Sequence, residues 1–176
     1  MSVLWPISIR LNEVGRTGLS MDLAADEAVR GRIAESLDLV ALNAFTAVLA
    51  IKPWLDGAEI AGRWSADITQ TCGVTLDPFD TALAGSFTVR VVPAGSLHAP
   101  TEDSEAIVDP EADDPPDVLE DGVIDLGAYL VEHLTLEVDP FPRKPGAVFE
   151  PPPPDSPPSP FAVLRQLNPK GSSKGD

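Results

Sequence analysis

Residues 57–92 read GAEIAGRWSADITQTCGVTLDPFDTALAGSFTVRVV, and the reading of this stretch decides the fold. From Ile60 to Cys72 the even positions are Ile60, Gly62, Trp64, Ala66, Ile68, Gln70 and Cys72, while the odd ones include Arg63, Ser65, Asp67, Thr69 and Thr71. A two-residue repeat of this kind is a strand with one buried face. After the break at Leu76-Asp77-Pro78, Phe87, Val89 and Val91 alternate with Ser86, Thr88 and Arg90. The pattern predicts strands near residues 58–72 and 80–92, paired antiparallel.

Working outward, residues 39–52 (LVALNAFTAVLAIK) are apolar on both parities, so periodicity alone does not separate a strand from a buried helix. Pro53 and Asp56-Gly57 make the next connection a hairpin turn, which selects a strand, covered on both faces. WPISIRL at residues 5–11 alternates Ile7, Ile9 and Leu11 with Ser8 and Arg10 and predicts a first strand, with Pro6 at its start. Residues 15–20 read as a polar turn. Leu23, Ala24, Ala28, Ile33 and Leu37 then fall on one stripe and predict a helix near residues 22–36, capped by Ser20 or Asp22. A second helix near residues 126–136 carries Leu126, Tyr129, Leu130, His133 and Leu134 behind Asp125 as its cap. The expected class is α+β: an antiparallel β-meander, partly barrel-like, with two helices packed against it.

The chain has 176 residues and a formal charge of −16, unevenly spread. Residues 101–121 hold ten acidic and no basic side chains, which is more than half of the net charge. So acidic a protein does not grip nucleic acid through a broad phosphate-neutralising surface, because that affinity comes from Lys and Arg releasing counterions. Basic proteins are the expected partners, with any RNA contact local or indirect. The acidic stretch has few core-forming groups and predicts a flexible insertion over residues 97–121. Residues 1–148 then form a single domain, and residues 149–176 a proline-rich tail. That tail runs EPPPPDSPPSP and ends in Phe161-Ala-Val-Leu-Arg-Gln-Leu167, whose Phe161, Leu164 and Leu167 make a short docking motif for a partner or for the chain's own domain. One cysteine, no secretory leader and no apolar run of spanning length predict a cytoplasmic protein without a membrane segment.

Three stretches together resemble the YceD family, bacterial and plastid proteins associated with accumulation of the large-subunit (23S) ribosomal RNA. They are GRWSADITQTCGVTLDPF at residues 62–79, IDLGAYLVEHLTLEVDP at 124–140 and PFAVLRQL at 160–167. The resemblance marks Gly62, Cys72, Leu76, Pro78, Asp125 and Pro140 as structural signature positions, and Glu132 as a partner-binding candidate beside the Phe161 motif. It implies a non-enzymatic ribosome-biogenesis factor promoting synthesis, processing or accumulation of the 23S rRNA, with ribosomal or rRNA-processing proteins as partners. Many members carry Cys-x-x-Cys where this chain has Cys72-Gly73-Val74-Thr75. A thiolate zinc site needs several soft ligands, so no metal or other cofactor is expected here.

Two other readings compete. Asp67, Asp77 and Asp80 invite a metal-dependent hydrolase or nuclease, although aspartate near a turn more often bonds the local backbone. The acidic segment invites a general chaperone for basic proteins, although charge runs are usually solvated faces. Cys72 as a nucleophile would need His98 or His133 within reach, and a lone buried cysteine is more often a small core residue. The oligomeric state is not legible in the sequence.

Overall fold

The computed structural model describes residues 3–100 and 114–149. Its centre is a five-stranded sheet in the order β2-β3-β4-β5-β6, made by Leu19–Ala24 (β2), Ala41–Trp54 (β3), Gly57–Thr71 (β4), Pro78–Pro93 (β5) and Asp117–Leu119 (β6). A separate two-stranded sheet pairs Ser8–Arg10 (β1) with Val123–Asp125 (β7). Helix α1 (Glu27–Ser36) packs against β3, and α2 (Leu126–Glu137) against β5, β4 and β1. The α+β class and the β3–β4–β5 meander are as the alternation predicts. The large sheet stays open, with β2 and β6 as its outer strands, so it is not a closed barrel.

The meander is built from unusually long strands. Trp54 and Gly57 pair across a two-residue turn in which Leu55 takes a positive φ of 51°. In β4, Ile60, Gly62, Trp64, Ala66, Ile68 and Gln70 are buried on one face, as the even-position pattern requires. Two glycines on this face make room for aromatic neighbours. Gly62 lies opposite Phe87 and under its ring, and Gly85 lies opposite Trp64. Trp5, Phe45 and Trp64 continue the core as a chain of rings, with centroids 5.0 Å and 6.1 Å apart.

Four expectations are corrected. Leu19–Ala24 is a strand where a turn and a helix start were expected; its Met21 and Leu23 lean on the core while Ser20, Asp22 and Ala24 face out. Helix α1 therefore begins five residues late and is capped by Asp26, which accepts from the Val29 amide at 2.8 Å. That shift turns Val29, Ile33 and Ala34 inward and leaves Ala28 exposed. Second, β3 is covered on one face only, since Asn43, Thr46, Val48 and Lys52 are exposed. Third, the expected first strand shortens to Ser8–Arg10, followed by a tight turn at Leu11–Glu13, and it pairs with β7 outside the main sheet. Fourth, Asp117–Leu119, at the end of the acidic stretch, adds β6 parallel to β5.

Both helices lie on the buried face of the sheet, so the opposite face is open. Its cross-strand rows run Ala24, Thr46, Ser65, Ala84 and Asp22, Val48, Arg63, Ser86. Most of these side chains are small, and all are exposed. The Thr46 and Ser65 hydroxyls share a hydrogen bond at 3.0 Å.

Candidate functional site

Four of the six signature positions, Cys72, Leu76, Pro78 and Pro140, meet at one end of the sheet, whereas Gly62 lies in the middle of β4 under Phe87 and Asp125 at the start of α2. The β4–β5 connection carries Cys72, Leu76 and Pro78, and the segment after α2 carries Pro140. Residues 138–144 fold back onto the connection. Gly73 donates its amide to the Pro142 carbonyl at 2.9 Å, and the buried Gln70 donates Nε2 to the Asp139 carbonyl at 3.1 Å. The Lys144 amide donates to Cys72 Sγ at 3.3 Å, and Lys144 Nζ lies 3.8 Å from Asp77 Oδ2. A cleft of about 680 Å³ remains between this clasp and the end of α1, lined by Leu37, Val40, Gln70, Gly73, Val138 and Phe141 among others.

Cys72 is fully buried, and its sulfur sits in a ring of donors. The amides of Val74 and Thr75 reach it at 3.4 Å and 3.5 Å, and Lys144 supplies the third. The Thr75 hydroxyl and these amides pull the thiol from its ordinary 9.0 down to about 6, outweighing the opposing effect of burial. Thr75 thus favours the thiolate form by hydrogen bonding. The turn itself is tight: Leu76 has a φ of 62° and is left 75% exposed, while its amide bonds the Cys72 carbonyl at 2.9 Å.

The other candidates fall as follows. Pro78 opens β5, paired with Thr71, and Asp125 caps α2 by accepting from the Ala128 amide at 2.9 Å. Glu132 is exposed on α2, beside a second cavity that it lines with Tyr129, His133 and Asp117. There the Tyr129 hydroxyl donates to Asp117 Oδ2 at 2.7 Å, and burial together with that carboxylate raises its pKa strongly. Phe161, Leu164 and Leu167 lie outside the described residues.

The three aspartates do not gather. Asp67 is on the open face opposite Ala82, Asp80 accepts from the Thr69 hydroxyl at 2.6 Å, and Asp77 holds Lys144. Among the described residues no three His, Cys, Asp or Glu side chains come close enough to hold a metal ion. His133 stacks flat on Phe87, ring centroids 4.3 Å apart, and His98 is exposed in a turn. Sequence reasoning missed the clasp at residues 138–144 and the role of Gln70. The prolines at 140, 142 and 145 were its visible signal, since such a run must follow a fixed path over the domain.

The described residues thus form an α+β scaffold with an open sheet face and, at one end of the sheet, a turn clasped through the Cys72 sulfur. The family model described as "Large ribosomal RNA subunit accumulation protein YceD" matches residues 60–168, and the chain belongs to the YceD family. No curated protein and no solved structure matches the chain. No helix among the described residues is long and apolar enough to cross a membrane.

Proposed function

We propose that the protein is a cytoplasmic, non-catalytic ribosome-biogenesis factor that promotes synthesis, processing or accumulation of the large-subunit (23S) rRNA by binding basic ribosomal or rRNA-processing proteins. The observation that carries this reading is the family match, which spans the strand pair, the clasp and the Phe161 motif. The charge of −16 supports protein partners over a broad RNA surface. The open face of the sheet, paved with small side chains, supports a contact surface in place of a reaction centre.

The test is depletion in cells that carry the gene. Large-subunit rRNA is expected to fall relative to small-subunit rRNA and to recover when the full chain is restored. An unchanged ratio on clean depletion removes the reading.

A further inference from the structure

Among the described residues, most of one edge of β5 carries no neighbouring strand. Its ladder with β4 runs without a register shift from Val91 back to Pro78, but β6 lies beside its other edge only at Val91, Val92 and Pro93. Among the described residues no strand flanks β5 between Pro78 and Arg90. The amide of Ala94 donates to the Leu119 carbonyl at 3.0 Å, so the even-numbered residues aim their N–H and C=O groups toward this outer side. Counting back by twos, Asp80, Ala82, Ala84 and Ser86 present theirs outward. Pro78, on the same parity, lacks an N–H only where none is needed.

Sheet edges are normally blunted by brevity, by lysine or proline, or by a bulge. The edge strand β2 is six residues long and carries Asp22 near its middle. The β5 segment 81–88, TALAGSFT, has no charge and no proline, and the sheet's register shift is in β3, between Leu42 and Ala44. On the core side of the edge Phe79 and Leu83 are only half-buried, and on the open side Ala82, Ala84 and Ser86 are exposed. This is a surface prepared for an added strand.

Charge decides what that strand is. Asp67, Asp77 and Asp80 stand at one end of the edge, and Asp114, Asp117 and Glu132 line the cavity at the other, beside Thr88 and Val89. Of the cations nearby, Arg90 Nε is 3.1 Å from Glu59 and stacks over Trp54, Lys144 holds Asp77, and Arg63 is exposed opposite Ser86, between the two acidic ends. A second copy paired antiparallel would bring one acidic end against the other, with −16 on each chain. We infer that the outer edge of β5 receives an extended basic segment of a protein partner as an additional strand. Its alternate apolar side chains lie beside Phe79 and Leu83, and its basic ones face Asp67 and Asp80. This deepens the function proposed above and rests on it.

The test uses the full chain, labelled with 15N, and a blocked nonapeptide alternating lysine with valine. The peptide is expected to slow exchange of the Ala82, Ala84 and Ser86 amides at least tenfold, and its counterpart with glutamate for lysine to bind at least tenfold more weakly. Ala84→Pro removes an outward amide without breaking the β4 ladder, and is expected to weaken the peptide at least tenfold while melting within a few degrees of the parent. Ala84→Lys, which keeps the backbone and adds a like charge on an exposed position, weakens it in the same direction and decides the matter if the proline variant does not fold. Protection at β2 or nowhere on β5, equal affinity for the Ala84 variants, or indifference to peptide charge overturns the inference. Ala84 variants that lose the peptide yet restore normal rRNA ratios in depleted cells also overturn it, while leaving the assembly role standing. An unchanged ratio on depletion removes the role itself.

Discussion

Trp64 lies across Gly85 on the neighbouring strand, its indole 2.7 Å from the position a β-carbon at residue 85 would occupy. Gly85→Ala therefore has to displace a ring held between Phe45 and the sheet. Overpacking of this kind costs about 1–3 kcal/mol. Urea unfolding is expected to show a lower midpoint at an unchanged slope, and a loss below about 0.5 kcal/mol would mean that the indole yields freely.

The Cys72 thiolate links stability to pH. The folded state holds the thiol at about 6 and the unfolded chain near its ordinary 9.0, so the unfolded state binds the extra proton between these values. The stabilisation is complete above pH 9, declines as pH falls toward 6 and is absent below it. Cys72→Ser is expected to lose this dependence, so its deficit against the parent grows from pH 6 to pH 9 in denaturant titrations. A deficit constant across that range would show that the donor ring does not hold an anion.

Asp125 begins α2 with a single capping bond to the Ala128 amide. Asp125→Ala is expected to cost about 1 kcal/mol, and Asp125→Asn to recover most of it, because asparagine offers the same acceptor. Thermal unfolding of the three proteins side by side gives the comparison; equal losses for alanine and asparagine would point to charge as the whole effect.

Removing the tail motif is expected to separate folding from recruitment. Deleting residues 160–168 is expected to leave the melting temperature unchanged and to reduce capture of purified large-subunit proteins. Full capture by the shortened chain would remove Phe161, Leu164 and Leu167 as a docking motif.

Naked large-subunit rRNA fragments are expected to bind weakly at physiological salt, since the chain cannot offer the cations that release phosphate counterions. Electrophoretic mobility shifts across a salt series measure this. Tight binding with a steep salt slope would contradict it.

The meander was legible because the two-residue repeat of β4 is nearly unbroken and because Pro53 and Asp56-Gly57 mark the turn that makes the preceding apolar run a strand. Helix α2 was legible through Asp125 and its apolar stripe. β2 escaped because Leu19, Met21 and Leu23 are followed at once by helix-forming residues, and six alternating positions compete poorly with a longer helical pattern. β6 and β7 have three residues each and are made by their partners. At the site, Cys72, Leu76 and Pro78 could be named from the sequence, but their meeting with residues 138–144 depends on contacts some seventy positions apart, which no local pattern encodes.

That separation has a kinetic consequence. The β3–β4 and β4–β5 hairpins close over short turns, whereas the Cys72–Lys144 and Gln70–Asp139 bonds join residues 72 and 69 positions apart. Loop-closure entropy sets such contacts last in folding, after the sheet and α2 are in place. Local opening of the clasp, uncovering the sulfur while the hairpins stay zipped, is the expected outcome in the native ensemble. A thiol reagent applied to the intact protein would time that opening, and its rate would report on the clasp alone.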